Sequence, residues 1–509
     1  MQNTYYITTP IYYVNDIPHI GHAYTSVAAD VIARFMRLSG KDVMFLTGTD
    51  EHGQKVEKSA AKQNIDPQSF TDSVSEVFRK LMREMNISNN DFIRTTEARH
   101  KQAVAHLWQK LLDSGNIYLG SYSGWYSVRD EAFYSESELT PEKLAPTGAP
   151  VEWVEEPSYF FALSKWQEKL LKFYEENPDF IKPNSRRNEV ISFVQSGLHD
   201  LSISRSSFNW GIKVPGNEQH IIYVWLDALT NYISALGYPD QHSDYKKYWP
   251  ANVHVVGKDI LRFHAVYWPA FLMAAGIELP NCIMAHGWWT NEGQKISKSV
   301  GNVIDPFKLI EEFGLDQVRY YLMREVIFGS DGNYSRNGLI NRVNSELANK
   351  VGNLLQRTLT LIYKNTDQKI PQVSPETVNR LYTLPLIKLA QQFSIDNQEL
   401  MPAFDINSVL SNIITLAEEA NIYIDKEAPW QLKTTDTPRM AEVLYTLAEA
   451  LRYIAIMLQP FTPHSADQML TQLGVAEDQR RFEHLARKFA LIPGSNINQP
   501  EVVFPRLQE

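Results

Sequence analysis

Thiols are almost absent from this chain: Cys282 is the one cysteine among 509 residues. An internal disulfide is therefore excluded, as is a zinc site built from several thiolates, and such usage suits a reducing compartment. Positive charge is also short. With 49 Lys and Arg against 59 Asp and Glu the formal net charge is −10, so there is no overall basic coat, and contact with a nucleic acid must come from a local patch. No apolar run approaches the roughly 20 residues that span a bilayer. Met1-Gln-Asn-Thr-Tyr5 leads straight into a strand-like segment with no signal peptide. Low-complexity runs and internal repeats are missing too. The expectation is a soluble cytoplasmic protein of two or three domains that buries a large core unaided.

Against that background one stretch stands out, Pro18 to Met36, reading PHIGHAYTSVAADVIARFM. Before it, Thr4–Thr9 is rich in β-branched and aromatic residues and reads as a strand. After it, Ala23, Val27, Val31 and Phe35 recur at helical spacing, with Ala28, Ile32 and Met36 widening the apolar face. A strand thus turns into a helix through His19 and His22. Free N–H groups and the helix dipole favour an anion there, and Gly21 lets a ligand approach the backbone, so two imidazoles at this point suit a polyphosphate. Taken alone, two histidines three apart are more often an ordinary surface or core pair.

A second strand, Asp42–Gly48, delivers Thr49-Asp-Glu-His-Gly53. Strand, helix and strand in succession form a right-handed βαβ unit, whose ligands lie beyond the carboxyl ends of the strands, so Asp50 shares an edge with the two histidines. Far downstream, Lys295-Ile-Ser-Lys-Ser299 follows the apolar run Asn281–His286 and the turn Trp289–Gln294. It is either a solvated basic loop or a phosphate site, since two lysines interleaved with hydroxyls offer point charges and hydrogen-bond donors.

From about Ile117 to Pro215 short aromatic segments, Gly124–Val128 and Ala132–Tyr134, alternate with turns such as Ala145-Pro-Thr-Gly-Ala-Pro150, which reads as a small inserted domain containing β-structure. The parallel sheet resumes at Asn252–Val256, with a helix over Ile260–Ala275 and a strand over Asn281–His286. From Pro306 the pattern is helical: Phe307–Phe313, Gln317–Phe328, a long helix near Asn337–Tyr363, then Leu384–Leu400, Phe404–Tyr423 and Met440–Leu458, together a bundle. The fold class is α/β: a Rossmann-like parallel sheet in two halves, 1–116 and 216–305, split by the insertion at 117–215. Linker helices at 306–335 and an α-helical bundle at 336–509 follow. Between Tyr334 and Lys364, five cations (Arg336, Arg342, Lys350, Arg357, Lys364) stand against one acid, Glu346. Asn349, Asn353 and Arg357 are four apart and share a helix face. Trp430 offers a flat ring for an unstacked base, although a lone tryptophan is more often core.

PHIGH near the N-terminus with KISKS far downstream resembles the signature pair of the class I aminoacyl-tRNA synthetases. The blocks TTPIYYVNDIPHIGH, LTGTDEHGQKV, YVWLDALTNY, GKDILRFHAVYWPAFL and NIYIDKEAPWQL, spread over nearly the whole chain, resemble the methionyl-tRNA synthetase branch. The resemblance implies ATP-dependent attachment of L-methionine to tRNA(Met) through methionyl-adenylate, with release of AMP and diphosphate. Attack of a carboxylate on the α-phosphorus builds negative charge, so positioned cations and N–H donors matter more than a general base.

On this resemblance the catalytic groups are His19, His22, Lys295 and Lys298. Gly21, Asp259, Ser297 and Ser299 join them around ATP; Lys298 is the family's ATP-binding lysine and Asp259 lies near the adenylate ribose. Asp50 takes the methionine ammonium, and Ile11, Tyr13, Trp225, Ala228, Tyr232, Ile260 and His264 surround the side chain, with a hydroxyl or imidazole donor for the sulfur. Asn349, Asn353, Arg357 and Trp430 read the anticodon. Mg2+ accompanies ATP as a substrate complex, held mostly by phosphates and water. Relatives with a zinc knuckle carry Cys-x-x-Cys pairs in the insertion; the corresponding places here read Ser127-Val-Arg-Asp130 and Ala145-Pro-Thr-Gly148, so no zinc is expected. The further C-terminal domain that some relatives use to dimerise is lacking after Phe504-Pro-Arg506, which points to a monomer that does not engage membranes. A noncatalytic RNA-binding paralogue is the competing class, and the intact PHIGH and KISKS argue against it.

Overall fold

The computed structural model describes residues 3–14, 17–130, 132–240, 244–296 and 301–508, with the backbone alone at 122 and 156. The chain divides into two units. One holds the residues up to Ala29 together with Met44–His286; the other holds Asp30–Val43 and the described residues from Gly287 onward.

In chain order, β1 (Thr4–Tyr13) leads into α1 (Ile20–Leu38) and β2 (Asp42–Asp50), followed by α2 (Gln54–Lys62), α3 (Pro67–Glu84), β3 (Asp91–Arg94) and α4 (Ala98–Asp113). Next come β4 (Ile117–Ser127), β5 (Ala132–Tyr134), β6 (Glu152–Phe161), α5 (Gln167–Glu176), β7 (Ile181–Lys182), α6 (Asn184–Gln195) and β8 (Leu201–Ser202). The first unit closes with β9 (Ser204–Arg205), β10 (Lys213–Val214), β11 (Asn217–Ile222), α7 (Val224–Leu229), α8 (Asn231–Ser234), α9 (Asp244–Tyr248), β12 (Val253–Gly257), α10 (Trp268–Ala275) and β13 (Ile283–His286).

The main sheet has the order β3-β2-β1-β12-β13-β7. The pairs β2 with β3, β1 with β12, β12 with β13 and β13 with β7 all run parallel. Helices cover both faces of such a sheet, so its strands are buried without alternation, as Tyr6 to Pro10 of β1 are, Thr8 and Thr9 included. From β1 the chain crosses outward to β2, whereas β12 leads outward the other way to β13. The strand order therefore reverses between β1 and β12, and the crevice at their carboxyl ends is where ligands of open α/β sheets bind.

The edge strands β3 and β7 are only four and two residues long, and neither is legible as a strand from the sequence. Within 117–215 the antiparallel sheet β5-β4-β6-β8 is built on a long pairing that runs from Ile117 opposite Phe161 to Tyr126 opposite Glu152. Hydrogen bonds join the segments Ser127–Asp130 and Ala145–Gly148. Asp130 Oδ2 accepts from Thr147 Oγ1 at 2.5 Å and from the Tyr134 hydroxyl at 3.2 Å, and Arg129 donates to the Thr147 carbonyl at 2.7 Å.

The helix expected over Ile260–Ala275 is not one continuous α-helix. A 3₁₀ turn at Lys258–Ile260 and a π turn at Phe263–Tyr267 precede α10, which has Pro269 in its first turn. Proline has no N–H to give the Ala265 carbonyl. The buried Tyr174 hydroxyl donates to that carbonyl instead, at 2.6 Å.

The second unit begins with β14 (Trp289–Asn291) and β15 (Gln294–Lys295), then α11 (Pro306–Phe313), α12 (Leu315–Arg324) and β16 (Gly332–Tyr334), with the three strands ordered β15-β14-β16. The long helix expected near Asn337–Tyr363 is α13 (Arg336–Arg342), a π segment over Val343–Gly352 and α14 (Asn353–Asn365). The bundle is completed by α15 (Pro375–Leu381), α16 (Pro385–Leu400), α17 (Ile406–Glu427), α18 (Pro429–Thr435), α19 (Thr437–Leu458) and α20 (Pro463–Gln472). Every residue of α19 from Val443 to Leu458 is buried, which makes it the bundle's axis. At its end the fully buried Arg319 of α12 donates to Asp30 Oδ2 at 2.7 Å, the Pro460 carbonyl at 2.9 Å and the Phe461 carbonyl at 3.2 Å. A buried charge is tolerable only with such a full set of acceptors.

Gly48, two residues before Asp50, lies so close to β3 that a Cβ there would overlap the Ile93 carbonyl oxygen. Gly48→Ala should therefore lower the stability read from urea unfolding by about 1–3 kcal/mol. A loss below about 0.5 kcal/mol would mean that β3 yields without strain.

Candidate active site

The turn after β1 is held by its own histidines. The backbone N–H groups of His22 and Ala23 both donate to the His19 carbonyl, at 3.0 and 3.2 Å, which starts α1. Nδ1 of His19 accepts from the Gly21 N–H at 3.1 Å, and Nδ1 of His22 accepts from the His19 N–H at 3.1 Å. Since Nδ1 is an acceptor in both rings, the ring proton of each neutral imidazole sits on Nε2. The two rings lie 3.9 Å apart. A Cβ on Gly21 would stand 2.9 Å from His19 Cε1, so any other residue here displaces that ring.

Burial lowers the pKa of His22 well below its usual value, with the neighbouring His19 adding to the effect. Burial lowers that of His19 as well, against the pull of the Asp259 carboxylate. Both are neutral N–H donors at physiological pH and not cations. Tyr12 supports them: its ring meets His22 edge-on at 4.9 Å and stacks on Phe78 at 5.5 Å, and its hydroxyl lies 2.8 Å from Ser26 Oγ.

The residues expected around methionine lie in the same unit as this turn. Ile11 and Tyr13 alternate with the buried Tyr12 and Val14, so they share the less buried side of the strand end. Asp50 ends β2 at 3 % exposure, and its carbonyl accepts the Val14 N–H at 3.2 Å. α7 contributes Trp225 and Ala228, α8 contributes Tyr232, and the turns before α10 contribute Ile260 and His264. Ile11, Tyr13, Trp225 and Ile260 pack against the same apolar core that contains Tyr232. Trp225 stacks on Phe263 with centroids 3.7 Å apart and planes 6° from parallel. Asp259 is exposed in the turn after β12. It lies within that turn, and Gly257 precedes it at the cap position.

His264 Nδ1–H donates to the Ile260 carbonyl at 2.9 Å, so its Nε2, 2.7 Å from the Tyr232 oxygen, accepts the phenolic proton. Burial holds the His264 pKa at about 4, the bond to Ile260 opposing it. The hydroxyl and imidazole donors expected for the methionine sulfur are thus already engaged with protein acceptors. Behind them His254 stacks on Tyr232 at 4.0 Å, with its Nδ1 2.7 Å from Thr8 Oγ1, and burial keeps it neutral too. Sequence reasoning passed over His254. It also passed over His52, His100 and Asp227, which are 2 %, 0 % and 0 % exposed, with both imidazoles hydrogen-bonded to the Asp227 carboxylate. The first and last stand 175 positions apart, and no spacing rule pairs them.

In the second unit, Lys295 is exposed on β15 opposite Thr290, and its carbonyl accepts from Asn302 at 3.1 Å. Ser297, Lys298 and Ser299 lie outside the described residues. Trp430 is 44 % exposed rather than core, with the Arg357 guanidinium 5.5 Å from its ring centre. Asn353 is exposed at the start of α14, and Asn349, on the π segment, accepts from Arg506 at 3.2 Å. The basic run along this helix does not form a positive patch. Arg336 pairs with Glu312 at 2.8 Å, Arg342 with Glu325 at 3.1 Å, Arg357 with Asp425 at 2.6 Å, and Lys350 with Glu418. The acids come from neighbouring helices, which a count along one segment cannot include.

Residues 5–143 and 138–359 match the family model described as tRNA synthetases class I (M), and residues 386–509 match the anticodon binding domain of methionyl tRNA ligase. The chain belongs to the class I methionyl-tRNA synthetases. It is 71 % identical to the methionine–tRNA ligase of Rickettsia felis, over all of this chain and 99 % of that protein, and 71 % identical to that of Rickettsia bellii over the whole of both. Among solved structures it is similar to the methionyl-tRNA synthetase of Mycobacterium tuberculosis in complex with methionyl-adenylate. That likeness has a TM-score of 0.94 and 47 % identity, over 99 % of this chain and 100 % of that one.

Stability of this synthetase should fall with acid in a defined window. Burial gives His22, His254 and His264 lower pKa values in the folded chain than the ordinary 6.5, so the unfolded chain binds more protons below that value, and stability present above it is lost as pH falls from 6.5 toward 4. His264, held at about 4, contributes about 3 kcal/mol of that loss by pH 4. Urea unfolding of wild type and His264→Gln across this range checks it, and parallel curves would refute the assignment.

Proposed function

We propose that this chain charges tRNA(Met) with L-methionine through methionyl-adenylate, releasing AMP and diphosphate. The observation that carries the reading is a pair of Nε2–H imidazoles at a helix N-terminus, in a unit that also holds the buried Asp50 carboxylate and the stacked rings of Trp225 and Phe263, in a chain whose second unit includes the family's anticodon-binding domain. His19 and His22 donate to phosphate oxygens of ATP as charge builds there, with the backbone beside Gly21 close at hand. Lys295, Ser297, Lys298 and Ser299 meet the departing diphosphate, and Asp259 takes the ribose. Asp50 receives the ammonium of methionine, and Ile11, Tyr13, Trp225, Ala228, Tyr232, Ile260 and His264 surround its side chain. Because Tyr232 and His264 are bonded to each other, the sulfur meets a mainly apolar slot of fixed shape.

Magnesium enters with ATP, held by phosphates and water. No group of three or more His, Cys, Asp or Glu among the described residues is arranged to hold a metal. The anticodon is read at Asn349, Asn353, Arg357 and Trp430, where an unstacked base can lie on the exposed indole.

Exchange of pyrophosphate into ATP, run with each standard amino acid, tests the activity: methionine should give the dominant signal, and a chain with none would be a binding paralogue. Lys298→Ala should abolish that exchange while unfolding as wild type does, and undiminished exchange would remove the lysine from the reaction. Base stacking is worth roughly 1–3 kcal/mol, so Trp430→Ala should slow charging about ten- to a hundredfold while exchange without tRNA stays near wild type. Equal loss of both would make the ring a packing residue.

A further inference from the structure

Asp227 lies outside both the histidine turn and the side-chain pocket, yet it links the parts that carry them. It is fully buried, and each carboxylate oxygen is held by a histidine from a different segment. Oδ2 is 2.6 Å from Nδ1 of His52, in the loop after β2, and Oδ1 is 2.7 Å from Nε2 of His100 on α4. His100 continues through Nδ1 to Ser234 Oγ on α8, at 2.8 Å. The other nitrogen of His52 is buried with no hydrogen-bond partner among the described residues. The bond to Asp227 is therefore the polar contact that orients the ring, with Trp210 edge-on to it at 5.5 Å.

The placement matters because His52 follows Asp50 by two residues, while Asp227 sits on α7 between Trp225 and Ala228. One carboxylate thus ties the arm that bears Asp50 to the wall that bears the pocket. The ammonium and side chain of an amino acid branch from a single Cα, so a site for both must hold its two ends at one separation. A misplacement near 1 Å can cost about a hundredfold.

We propose that Asp227, acting through His52 and braced by His100, is a positioning residue for methionine: it sets the distance between the ammonium partner and the side-chain wall. This rests on the reading of Asp50, Trp225 and Ala228 given above. The groups read as meeting ATP in this unit stand on the turn before α1 and the turn after β12, which none of these bonds reach, so the effect falls on one substrate.

Pyrophosphate exchange with methionine and ATP varied separately is the test. Asp227→Asn and His52→Ala should each raise the methionine KM about tenfold or more while the ATP KM stays within about twofold of wild type. His52→Asn, whose amide N–H can stand where Nδ1–H stood, should restore most of the loss, a rescue that a mere packing role would not give. If Asp227→Asn fails to fold, the two His52 variants decide the matter alone. An unchanged methionine KM in folded His52→Ala, or a parallel rise in both KM values, overturns the proposal. Asp50→Ala separates the two levels. If it raises the methionine KM and His52→Ala does not, this inference alone falls; if neither does, the assignment of the methionine site falls with it.

Discussion

Parallel strands cannot hand over to one another through a tight turn, and that constraint arranges the catalytic half of this synthetase. Each crossover carries the chain back to start the next strand in the same direction, so the carboxyl ends all open on one edge. Between β1 and β12 the crossovers diverge and leave a crevice. The His19–His22 turn, Asp50 and Asp259 follow or end three strands, β1, β2 and β12, and the topology brings them to one edge although they are far apart in sequence. The same burial that stabilises the sheet then dictates the chemistry. Burial lowers the pKa of both imidazoles of that turn, so they offer neutral N–H donors and not positive charge.

Much of this could be read from residues alone, for identifiable reasons. β1, β2, β12 and β13 are rich in β-branched, aromatic and aliphatic residues, and α1 has a full helical stripe; these patterns are what residues alone can show. β3, four residues reading Asp-Phe-Ile-Arg, carries no pattern at all, and its pairing with β2 is decided by the neighbour. The break before α10 was written in Pro269, but its consequence depends on Tyr174, whose hydroxyl arrives from a distant helix to take the freed carbonyl. The π segment before α14 has no sequence mark, since a widened turn keeps the apolar stripe nearly in place.

The site shows the same division. The histidine turn and Asp50 follow from strand and helix ends, while the pocket walls were placed only by resemblance to a family. His52, His100 and Asp227 escaped because each looks ordinary in its own segment and their meaning lies in contacts between segments. Trp430 went the other way: composition favours a buried tryptophan, and the fold leaves it at the surface beside Arg357.

The paired cations of the bundle carry a thermodynamic consequence. Arg336, Arg342, Lys350 and Arg357 each already have a carboxylate at hand, so an RNA phosphate arriving there must trade places with a resident acid. Association becomes ion exchange between two anions, in which few condensed cations are released from the RNA without a matching carboxylate being set free. The slope of log affinity against log salt should then fall well short of one per basic side chain at the surface. A protein of net charge −10 can in this way meet a polyanion while keeping a shallow dependence on ionic strength.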